Sequence, residues 1–261
     1  MNRLLPMIGA ELLKLRKRRG LFWFTLFLTA GSVIVVNLFL LGYHVADPAK
    51  YAPAGGENGF KNSLTLFSIM AALAAVLVGA TAGAQDVGSG VFRSMVATGQ
   101  SRTRLALVRI PGALIFLVPM LALGYVLEVV ASFALADGTA TPDAASLLIG
   151  AGWLAALSIL DLVVTMGLAA VLRSRGTAIG VMIAWELAGS RVVERIGAFG
   201  DWRGLVSTVA TDRFLPYATD SVRINRLDTI TISLTTAVAV TVAWLVVAVA
   251  LGVRRTQTQD A

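Results

Sequence analysis

The sequence contains no cysteine. Disulfides, thiolate metal sites and cysteine nucleophiles are excluded at once. It has a single histidine, His44, which removes every multi-histidine metal motif. Charge is also scarce. Only 14% of residues are Asp, Glu, Lys or Arg, where a soluble domain carries about 25%. None of the four lysines, at 14, 17, 50 and 61, follows a glycine. The phosphate-cradling P-loop signature is therefore absent. No cluster of acid, base and nucleophile stands out either, which argues against an enzyme.

Apolar residues fill the space that charge leaves. They make up 57% of 261 residues, and the mean hydropathy is +0.79. A single-core globular fold has too little interior to hide that much apolar surface. The composition predicts an all-α, polytopic membrane protein. Five segments reach the length of about 20 apolar residues that a membrane helix needs: Leu21–Tyr43, Ser63–Ala84, Leu105–Ala136, Ser146–Leu172 and Thr229–Val253. A shorter sixth, Thr177–Ser190, is apolar apart from Glu186. Six helices are expected over residues 21–253. The first is too long for a signal-peptide core.

Lys and Arg set the direction. With both ends inside, the inner segments 1–20, 85–104, 173–176 and 254–261 hold 13 basic and three acidic residues. The outer segments 44–62, 137–145 and 191–228 hold eight basic and nine acidic residues. The basic excess therefore faces the cytoplasm, as the positive-inside rule requires. The net charge of +7 is explained by anionic lipid, with no need for nucleic acid.

Two inner segments carry pattern. In residues 1–20, Leu5, Ile8, Leu12 and Leu15 recur at helical spacing, and Glu11, Lys14 and Arg18 share another face. This predicts an amphipathic helix along the inner surface, bending near Gly20 into the first span. A plain lipid anchor gains nothing from Glu11, whereas a protein partner pairs with it. In the 85–104 loop, Gly88 and Gly90 permit a sharp turn. A short helix over Val91–Ala97 would expose Val91, Phe92, Met95 and Val96 on one side, and Ser101 is placed to cap the next helix.

These segments resemble the permease subunits of ATP-binding-cassette exporters of the type-2 class. The match lies in Glu11-Leu12-Leu13-Lys14-Leu15 before Arg16 to Arg19, and in Asp86, Gly88 and Gly90, Val91–Ala97, Gly99 and Ser101-Arg102. The family more often has Glu where Asp86 stands, and Pro or Val where Gly99-Gln100 stands. The resemblance implies a multi-pass protein of a prokaryotic plasma membrane. Two permease chains, identical or different, would form the pathway. Separate ATPase subunits, carrying the ATP and magnesium, would dock on Glu11, Lys14, Asp86, Val91, Phe92, Arg93, Met95 and Arg102. It also implies short external helices before the last span, for which Gly204–Asp228 is the candidate, with Trp202, Phe214 and Tyr217 at the interface. Relatives export drugs, antimicrobial peptides, lipids, polysaccharides or sodium. Residues 1–20 would be the elbow, 21–253 the permease domain and 254–261 a cytoplasmic tail. No cofactor is expected in this chain.

Four ionisable residues fall inside the expected spans: Arg109, Glu128, Asp161 and Glu186. Charge at bilayer depth costs about 2.5–3.5 kcal/mol on insertion scales, so each is a functional candidate. Asp161 and Glu186 sit at similar depth, roughly 17 and 14 Å from the inner face at about 1.5 Å per residue. They either line a pathway for a cation or for protons, or they pair with Arg109 or backbone as structural glue. Glu128 is expected to pair with Arg191. Small residues repeat every four positions at Ala71, Ala75, Gly79 and Gly83, and at Gly176, Gly180, Ala184 and Ala188. Either stripe suits packing within the chain or a dimer seam. Pro111 and Pro119 predict kinks in the third span. The competing reading is a stand-alone ion-coupled transporter using Asp161 and Glu186, although no inverted repeat supports it.

Overall fold

The computed structural model describes residues 4–88, 99, 101–215, 221–223 and 229–258. Among these, five helices are long and apolar enough to cross a membrane: Arg19–Ala46, Gly56–Ala84, Arg102–Ala134, Ala144–Leu172 and Leu234–Gln257. This is the architecture of a polytopic helical membrane protein. Its surface agrees, since Phe27, Leu38, Phe39, Val126, Leu148 and Val246 are all more than half exposed. Such side chains belong against lipid tails.

We number the helices in chain order. Helix α1 is Leu4–Lys17 and α2 is Arg19–Ala46. The helix breaks at Arg18, not at Gly20, which is already helical. Helix α3 is Gly56–Gly88, and Gly88 is the first of the two glycines expected to permit a turn. Helix α4 is Arg102–Leu107 and α5 is Arg109–Ala134. The break between them, at Val108, matches the kink expected from Pro111. Proline in the first turn of α5 has no N–H to bond back to Leu107. Helix α6 is Ala144–Leu172. Helices α7, Arg175–Ala184, and α8, Ser190–Arg195, are joined by a π-helical turn over Trp185–Gly189. The expected span Thr177–Ser190 falls on this stretch. Glu186, Arg191, Glu194 and Arg195 keep it less apolar than the other five.

The last span also shifts. Helix α10 is Leu234–Gln257, starting five residues later than the hydropathy predicts. Strand β2, Thr229–Thr231, pairs antiparallel with β1, Ser221–Arg223. A Thr-Ile-Thr run favours such a strand. The stretch Gly204–Asp228, expected to supply short external helices, contains helix α9 over Ser207–Asp212 and strand β1, and a 3₁₀ helix over Gly197–Leu205 leads into it. Trp202 there is 76% exposed, and Tyr217 lies outside the described residues. Four helix starts are closed by side-chain caps. Ser101 accepts from the Arg104 N–H at 3.3 Å, as expected, and Asp143, Ser174 and Ser233 cap α6, α7 and α10.

Helices α3 and α6 form the central pair. Small residues allow it. A β-carbon at Gly79 would collide with the Leu162 carbonyl, and one at Gly83 with the Met166 carbonyl. The first small-residue stripe is therefore used within the chain. The second is not, because Gly176 and Gly180 face open space. Helices α2 and α5 flank α3, α10 flanks α6, and α7 lies against both central helices. Phe60, Leu64, Phe67, Leu117 and Leu162 fill the core. Helix α1 lies across the start of α5 with Glu11 and Leu15 turned inward.

Candidate functional site

The arrangement begins with Asp161, in the middle of α6. Helices α7 and α10 both pack against α6, and a cavity of about 290 Å³ lies between them. Asp161 and Glu186 both line it. The sequence placed these carboxyls at similar depth, and the fold brings them to one cavity. Asp161 is 3% exposed, and its Oδ2 has no hydrogen-bond partner. Buried carboxylate oxygens without partners are rare enough to need a cause.

Two tryptophans, neither of them singled out by the sequence reading, complete the cavity. Trp185 and Trp244 line it with ring centroids 6.4 Å apart. Each ring is anchored by its N–H. Trp185 Nε1 donates to Ser207 Oγ at 3.2 Å, and Trp244 Nε1 donates to the Leu205 carbonyl at 3.0 Å. The indole donors are spent on Ser207 and Leu205, which leaves apolar ring surface for the cavity. Trp185 and Glu186 both belong to the π-helical turn. An extra residue in such a turn re-aims side chains, and such turns recur at functional sites. Apart from Ser207, the rest of the wall is apolar, including Leu160, Val164, Val181 and Val247.

A polar network stands at the end of this helix, on α8 and α9. Glu194 is 2% exposed and accepts from the Thr208 hydroxyl and from Arg191 Nη1, the latter at 3.1 Å. Arg191 Nη1 also reaches Asp212 Oδ2 at 3.4 Å. Burial pushes the Asp212 carboxyl up to about 6, although Arg191 pulls the other way. The Arg191–Glu194 pair is legible as an i,i+3 spacing. Asp212 and Thr208 carried no signal in the sequence.

This network corrects one expectation. Arg191 does not pair with Glu128. Glu128 is 1% exposed and accepts from Asn37 Nδ2 at 2.9 Å. Helix α5 turns Glu128 toward α2, while α8 holds Arg191 against α9. Arg109 is 3% exposed at the start of α5, and donates to the Gly83 carbonyl at 3.4 Å.

The residues expected to meet an ATPase divide into three groups. Glu11 is buried on α5 and paired with Lys14 at 2.6 Å. It is thus held within the chain and not presented to a partner. Of the expected apolar face, Leu15 is buried within the chain, and Leu5 is 72% exposed. Arg16 to Arg19 remain exposed. Arg102 donates to the Gln257 carbonyl at 2.9 Å, tying α4 to the end of α10. Val91, Phe92, Arg93 and Met95, with the expected Val91–Ala97 helix and Gly90, lie outside the described residues. Asp86 belongs to the last turn of α3, and its side chain is not among those described.

No protein-family model matches this sequence, and no curated protein matches it.

Proposed function

We propose that this chain is the membrane-spanning permease subunit of an ATP-driven exporter, similar to the ATP-binding-cassette type-2 class. In this reading α7, the π turn and α8 complete six crossings with both ends in the cytoplasm. Separate ATPase subunits dock on the cytoplasmic side. The observation that carries the reading is the elbow. Helix α1 packs across the start of α5, and α4 and α5 follow directly from the 85–104 segment. A push on that segment is therefore transmitted to the helix that the elbow grips. The exposed Arg16 to Arg19 border the same place. The open face at Gly176 and Gly180 suits close approach of a second permease chain.

The test is transport in inverted vesicles together with co-purification. The tagged chain is expected to bring down a cytoplasmic ATPase bearing a P-loop, and uptake is expected to need ATP. Uptake that follows a pH gradient, with no ATPase bound, would overturn the proposal. That result would favour the second reading, a stand-alone ion-coupled transporter. Its support is the shared cavity of Asp161 and Glu186.

A further inference from the structure

We propose that the cavity between α6, α7 and α10 is a binding site for a lipophilic organic cation. As a substrate class this rests on the exporter reading. As a binding site it stands on this chain alone.

Charge comes first. Asp161 and Glu186 line the cavity, and Asp161 Oδ2 has no partner. Among the described residues that line it there is no lysine or arginine. A carboxylate at this depth is costly until a positive group meets it. An anion would find two acidic groups and, among the described lining residues, only the Ser207 hydroxyl as a donor, because both indole N–H groups are already bonded to Ser207 and Leu205.

Ligand type follows from the walls. A bare inorganic cation asks for about six or more oxygen ligands. This cavity supplies two carboxyl groups and the Ser207 hydroxyl among aliphatic side chains. An organic cation brings its own apolar groups and needs no such shell. Aliphatic walls bury its hydrocarbon. Trp185 and Trp244, inclined at 41° to one another, present ring surface to its charge, and tryptophan is the strongest such partner.

Access is lateral. The rim residues Val181, Val247 and Leu251 are 48%, 53% and 50% exposed, on α7 and α10. These are lipid-facing positions, so the mouth opens toward the bilayer, where lipophilic cations concentrate.

The probe is radiolabelled tetraphenylphosphonium, with tetraphenylborate as the anion of matched shape. Equilibrium binding is measured on the purified full chain in detergent. Wild type is expected to bind the phosphonium saturably and to prefer it over the borate by at least about tenfold. Asp161→Asn and Glu186→Gln are each expected to weaken it by about tenfold or more. Leu251→Trp, which blocks the rim and leaves both carboxyls intact, is expected to weaken it too. If Asp161→Asn does not give a monodisperse protein, the other two variants carry the test. Absence of saturable binding, equal binding of the borate, or unchanged affinity in Glu186→Gln and Leu251→Trp would overturn the proposal. Phosphonium binding by a chain that brings down no ATPase in the co-purification test would leave this site standing and remove the exporter reading. A bound ATPase without phosphonium binding would do the reverse.

Discussion

Gly112 stands directly beneath Glu11. A β-carbon at Gly112 would lie 2.6 Å from the Glu11 Cβ, closer than two carbons can approach. The elbow helix therefore rests on α5 through a glycine. Glu11 is not left as a bare charge in that contact, because Lys14 lies 2.6 Å from its Oε1. The pair lets a carboxylate sit against a membrane helix.

Gly112→Leu should lift α1 from α5. The absence of cysteine makes this easy to read with a single reporter, Leu15→Cys. Leu15 is 2% exposed, so the reporter should resist a maleimide in the wild-type background. In the Gly112→Leu background it should label faster by roughly tenfold or more, since overpacking costs about 1–3 kcal/mol. Equal labelling rates would mean that the contact does not hold the elbow.

The two small-residue stripes should respond oppositely. Gly79→Ala drives a methyl group into the Leu162 carbonyl and should lower stability by about 1–3 kcal/mol. Gly180→Ala meets open space and should be neutral or raise stability by up to about 1 kcal/mol through helix propensity. Thermal unfolding in detergent checks both. A stable Gly79→Ala protein would mean that α3 and α6 are not in close contact.

What the sequence made legible follows from what hydropathy measures. Apolar length located all five long helices, because burial in lipid depends on composition and not on partners. It misjudged the start of α10, since Thr229–Thr231 is as apolar as a helix start but finds a strand partner at Ser221–Arg223. Counting along the helices was legible to the extent that Asp161 and Glu186 line one cavity. Facing was not. Rotation of α5 decides that Glu128 meets Asn37 and not Arg191, and rotation is set by packing among helices. Trp185 and Trp244 went unread for the same reason, being distant in sequence and joined only by the fold. The π turn that aims Glu186 has no local signature in Trp185–Gly189.

Glu128 should depend on the hydrogen bond from Asn37. Asn37→Ala removes the 2.9 Å donor and leaves a buried carboxyl short of a partner. The expected loss is about 1–3 kcal/mol in a denaturant titration. Arg191→Ala should act separately, and the double variant should be additive within about 0.5 kcal/mol. Strong coupling between the two would restore the Glu128–Arg191 pairing that the geometry rejects.

Asp212 should give the protein a pH-dependent stability with a definite sign. Its carboxyl is raised from 3.8 to about 6, chiefly by burial. A raised carboxyl means that the folded state holds its proton more tightly than the unfolded state does. The stability it contributes is complete below about pH 4 and is lost as pH rises through about 6. Asp212→Asn keeps a neutral group at every pH and so lacks that loss. The melting temperature of the variant relative to wild type should therefore climb between about pH 4 and pH 7. Arg191 retains Glu194 as a partner at 3.1 Å, so the guanidinium is not stranded by the substitution. A difference that stays constant across this range would show that Asp212 ionises as an ordinary surface carboxylate. A difference that moves the other way would mean that the ion pair with Arg191 outweighs burial.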